Sequence, residues 1–214
     1  EFESNEDYPA YDPNKRVDQF RLGGFSAEVE LIGQEELEEL ESLSGIQRAW
    51  PEYDFEATYF GLSGSDTKYE LSELQFDANP DPEDSTVVAG EYPSEFAEGD
   101  IVVDARMAST LGLSADELIG EELIVGIEDY TESTLEYTYT VVGVLEEAAT
   151  NGFGPPTLST GGTVIIGEQD ADILYRETAE TYEFSSITVL LEEGADSELV
   201  QADIEALNED YLVI

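Results

Sequence analysis

The chain has 214 residues, with 52 Asp and Glu against seven Lys and Arg, a formal net charge of −45, and neither cysteine nor histidine. This balance excludes a phosphate-backbone partner, because counterion release needs clustered Lys and Arg, and it disfavours attachment to anionic lipid. The missing residue types exclude disulfides, thiolate nucleophiles, Ser-His-Asp triads and metal sites built on histidine or cysteine.

The length suits one substantial domain or two small lobes, since domains commonly hold about 100–200 residues. Hydrophobic residues make up 41% of the chain and include 12 Tyr and nine Phe, enough to sustain a core despite the charge. The acids are spread along the whole sequence, and only Lys15 and Lys68 are lysines, a pattern of solvated surface chemistry. Self-repulsion falls as the Debye length shrinks from about 8–10 Å at ordinary ionic strength to about 3 Å at 1 M salt, so the composition is that of a halophilic domain expected to fold best in molar salt. No apolar run approaches the roughly 18–20 residues that span a bilayer, and no signal peptide opens the chain, so the fragment is expected to be soluble.

Residues 1–21 carry Pro9, Pro13, Asn5 and Asn14 without apolar period and read as a linker or arm. From Phe25 to Leu31, apolar and polar residues alternate at the period of a strand with one buried face. Leu37, Leu40 and Leu43 then mark a short amphipathic helix over Gln34–Ser44, with Gly45 as its C-terminal cap. The aromatic-rich stretch Ile46–Leu62 reads as one strand broken by Pro51, and Tyr69–Phe76 as another. Pro80 and Pro82 make 77–86 a connection, and 90–100 is a second turn-rich segment, with the short apolar run Val87–Ala89 between them. Ile101–Val103 is a short buried strand, and Ala105–Leu113 a helix ending near Gly112.

Leu118–Gly126 and Tyr137–Leu145 read as antiparallel strands joined by the polar turn Glu128–Ser133. A long loop rich in Gly and Pro follows at Asn151–Gly162. Thr163–Ile166 is a strand, Glu168–Thr178 a helix, Ser185–Leu191 a strand, and Asp196–Asn208 a helix with Leu199, Ile204 and Leu207 inward. Tyr211–Ile214 closes as a strand. Hairpins mixed with returning helices predict an α+β fold with largely antiparallel sheets, rather than a doubly wound parallel one.

Four segments, in this order, resemble the extracytoplasmic core domain of MacB-type and FtsX-like ABC transporter permeases: "EELEELESLSGIQRAWPEY" (35–53), "VVAGEYPSEFAEGDIVVDARMASTLGL" (87–113), "LIGEELIVG" with "YTYTVVGVLEE" (118–126 and 137–147), and "TVIIGEQDADIL" with "SSITVLLEEGADSELVQADIEAL" (163–174 and 185–207). The third is the most specific. The chain departs from the pattern at Glu91 and Glu121, where basic residues are usual; salt adaptation accounts for both. The resemblance covers 22–214 and implies two lobes, drawn here at 22–90 plus 181–214 and at 91–180. It also implies a domain on the extracellular side of the cell membrane. There it would couple ATP-driven transmembrane motion to export or release of a lipoprotein, peptide or small molecule. The implied partners are a second permease copy and a cytoplasmic ATP-binding subunit, reached through transmembrane helices, and the domain itself would carry no chemistry. The alternative is a free-standing halophilic cell-surface binding or adhesion module.

Asp77, Asn79, Asp81 and Glu83 occupy alternate positions of a calcium-loop spacing, but Pro82 and Val88 stand where that loop needs Gly and Glu, and a solvated acidic loop is the plainer reading. With 52 acids, carboxylate pairs at glycosidase spacing carry no weight. Gly152–Gly162 lacks the lysine of a phosphate loop and is either a partner contact or a mobile loop. Trp50, Tyr53, Phe55 and Tyr59 fit a ligand groove or, at strand spacing, a core. No catalytic, cofactor-binding or metal-ligating residue is assigned, no cofactor is expected, and the chain is not expected to be an enzyme.

Overall fold

The computed structural model describes residues 31–71, 74–146 and 164–208, together with 211 and 213. In chain order the elements are α1 (Gln34–Glu41), β1 (Ile46–Pro51), β2 (Glu56–Leu62), β3 (Tyr69–Glu70), β4 (Gln75–Asp77), a 3-10 turn (Pro82–Asp84), β5 (Val87–Gly90), β6 (Asp100–Asp104), α2 (Ala105–Leu111), α3 (Ala115–Leu118), β7 (Glu122–Glu128), β8 (Thr134–Leu145), β9 (Val164–Gly167), α4 (Glu168–Thr178), β10 (Ile187–Leu191) and α5 (Ser197–Leu207). Among the described residues, every strand pair is antiparallel except β4 with β9 and β6 with β8. The fold is mixed α+β, as the pattern of hairpins and helices predicts.

The chain divides into two compact units. Unit 1 holds described residues from Phe55 to Ala179, and unit 2 those up to Asp54 and from Glu180 onward. The outward exchange falls at Asp54/Phe55 rather than near residue 90, because β2 pairs with β7 and belongs to the sheet of unit 1.

Unit 1 is built on a sheet in the order β3-β2-β7-β8-β6-β9-β4, with β5 added to β8. The 12-residue β8 organises it. Residues 134–140 pair with β7, Gly143 to Leu145 pair with β5, and Thr140 to Leu145 lie parallel to β6. Leu123, Val125 and Ile127 of β7, at the two-residue period of a strand, are buried together with Tyr139 and Val141 of β8. By contrast, Ile101, Val102 and Val103 of β6 are all fully buried, as befits a central strand covered on both faces. Asp104 caps α2 by accepting the Met107 N–H at 2.9 Å, and Gly112 closes it in the left-handed conformation, φ 74°. The run from Leu118 does not begin as a strand. Ser114 and Glu117 form a capping box that makes Ala115–Leu118 a helical turn, so β7 starts at Glu122. Tyr69–Phe76 likewise yields two short strands, β3 and β4, that pair with different partners.

Unit 2 pairs β1 with β10 and covers them with α1 and α5. Its core is Leu40, Ile46, Val200 and Ile204, with Leu43, Ile187, Val189, Leu191 and Ala195 packed against it. The first helix stops at Glu41 with Ser42 as its cap, before Gly45. The stretch 46–62 is two strands in different units rather than one strand broken by Pro51: β1 ends at Pro51, Glu52 donates its N–H to the Ser186 carbonyl at 2.9 Å, and β2 begins at Glu56 in unit 1. On α5 the buried residues are Val200 and Ile204, whereas Leu199 and Leu207 are 65% and 39% exposed. The inward face is therefore rotated from the one predicted. Tyr211 and Val213 pack on this core outside any strand, which corrects the closing strand. The arm 1–21 and most of the expected strand 25–31 lie outside the described residues; Ile32 makes an isolated antiparallel bridge with Phe184. Among the described residues, no helix is long and apolar enough to cross a membrane.

Candidate functional site

In unit 1, the turn before β6, the first half of β8 and the start of α4 surround a pocket of about 230 Å³ lined by Glu98, Gly99, Tyr137, Thr138, Tyr139, Asp170, Ile173 and Leu174. Gly99 fixes its geometry. With φ 84°, it turns its carbonyl to accept the Thr140 N–H at 2.7 Å and its own N–H to donate to Asp170 Oδ2 at 2.9 Å. Asp170 lies in the first turn of α4, where a carboxylate is favoured by the helix dipole, yet it is buried to 7% exposure. Burial raises its pKa; the Gly99 N–H opposes that shift, and the charges of Glu98 and Asp100 add to it. Tyr139 is 3% exposed, and its phenol is also raised, first by burial and then by the nearby Asp170 charge. Tyr137, one strand repeat away, donates its hydroxyl to Glu177 at 2.8 Å.

A second polar cluster crosses the sheet. Lys68 Nζ donates to Glu136 Oε1 at 2.5 Å and sits 3.9 Å from the centre of the Tyr59 ring, while Tyr59 donates to the same oxygen at 2.8 Å. The Lys68 contact leads the causes that hold the Glu136 carboxyl below its ordinary range.

In the acidic segment from 77 to 83, Asp77 and Asp81 accept hydrogen bonds from nearby backbone and from one tyrosine. Asp77 Oδ1 accepts the Asn79 N–H and Asp77 Oδ2 the Tyr92 hydroxyl, while Asp81 accepts the Glu83 N–H and caps the Pro82–Asp84 turn. Among the described residues no group of three or more acidic side chains is placed to hold a metal ion. The four aromatics are divided: Trp50 and Tyr53 belong to unit 2, where Arg48 lies 5.4 Å from the Trp50 ring and Tyr53 meets Phe184 edge-on, while Phe55 and Tyr59 are buried in unit 1. The loop 152–162 lies outside the described residues. Glu91 and Glu121 are exposed beside β8. The reading by residue pattern missed the Gly99–Asp170–Tyr139 grouping. The alternation of "YTYT" gives the parity that buries Tyr139, but nothing local pairs Gly99 with a residue 71 positions away.

The model of the MacB-like periplasmic core domain matches residues 10–207. The chain belongs to that family. Among solved structures it is similar to the extracellular domain of the noncanonic ABC-type transporter YknZ from Gram-positive bacteria, with 12% identity, a TM-score of 0.49, and coverage of 84% of this chain and 83% of that one. It is also similar to a domain described as from a permease protein of Porphyromonas gingivalis, with 14% identity, a TM-score of 0.49, and coverage of 86% and 79%. No curated protein sequence matches it.

Proposed function

We propose that this chain is the extracytoplasmic domain of an ABC-type permease and that it transmits nucleotide-driven motion of transmembrane helices to export or release of a substrate outside the cell. The family match over 10–207 carries the reading. In support, unit 2 gathers described residues from both sides of unit 1 in the sequence. Motion would pass between the units through the chain crossings at 54/55 and 179/180. The partners in this reading are a second permease copy and a cytoplasmic ATP-binding subunit; the domain itself does no chemistry. The acid excess belongs to the same reading, as adaptation to molar salt.

The test uses the full-length gene product with its ATPase partner in membranes. One membrane span before residue 1 and three after residue 214 are expected; a product with no spans would overturn the reading in favour of a free-standing surface module. Because the chain has no cysteine, spin labels at Ser65→Cys and Glu193→Cys place one probe in each unit. A distance distribution that shifts on ATP binding supports coupling, whereas one that ignores nucleotide sinks the coupling and leaves the family assignment standing.

A further inference from the structure

We draw no further inference here: the strongest candidate, the face of the β1–β10 sheet that carries Trp50, Thr188 and Leu190 on the side away from the core of unit 2, carries nothing because nothing in the structure shows what covers it.

Discussion

Tyr59 of β2 reaches Glu136 of β8 across the strand that separates them, its hydroxyl 2.8 Å from Oε1, and the β7 residue paired with both is Gly126. A Cβ on Gly126 would stand 2.6 Å from Tyr59 Cζ and 2.8 Å from Thr58 Oγ1. The absent side chain is what lets the ring lie over the sheet.

Gly126→Ala should therefore destabilise unit 1 by about 1–3 kcal/mol, the usual cost of overpacking, with Gly126→Val worse. Denaturant midpoints at fixed salt measure it. A midpoint within error of the parent would show that Tyr59 can move aside freely.

Lys68→Met should move the Glu136 carboxyl back up toward the ordinary glutamate range, as read by pH titration of its side-chain resonances. With its folded pKa depressed, Glu136 contributes stability that is present above the unfolded value and lost as pH falls through the folded one. Glu136 is 48% exposed, so the loss in the variant should be only about 0.2–1 kcal/mol and should fade in high salt.

Asp170 titrates with the opposite sign. Its pKa is raised in the fold, so the neutral form's contribution is complete below the unfolded aspartate value and is lost as pH rises through the folded pKa. Asp170→Asn, which retains an acceptor for Gly99, should flatten the stability-versus-pH curve in that window and match or exceed the parent at neutral pH. Equal slopes in the two proteins would show that Asp170 ionises as if in water.

On α5, Ile204→Ala should cost about 2–4 kcal/mol because it empties the small core of unit 2, whereas Leu199→Gln should stay within about 0.5 kcal/mol. The reverse order would restore the predicted inward face.

Melting temperature should climb steeply between low and molar KCl, since 52 acids confront seven basic residues. A flat profile would separate the composition from salt adaptation.

What the sequence made legible was local. The β7–β8 hairpin showed itself because two strand-like runs, Leu118–Gly126 and Tyr137–Leu145, flank the polar turn Glu128–Ser133. Helix α4 matched its predicted span, Glu168–Thr178, residue for residue. Non-local choices stayed hidden. Nothing in Gln75–Asp77 announces a parallel seat beside β9, and Pro51 suggested a break in one strand when residues 52–55 carry the chain between units. The face of α5 was misjudged because Leu199 and Leu207 outrank Val200 in hydrophobic size. Packing instead follows the positions that reach Leu40 and Ile46.

The pairing of Ile46 with Leu191 has a consequence for how the molecule is made. During synthesis at roughly 5–20 residues per second, β1 waits about seven to thirty seconds for β10 to emerge. The Phe55–Ala179 part of unit 1 is produced in that interval. Throughout it, the apolar side chains of Ile46 and Ala49 have no strand to cover them, so the nascent chain passes through a stage in which a finished sheet domain trails an open edge. That edge is the point at which a holding chaperone, or a neighbouring nascent chain, would make its claim.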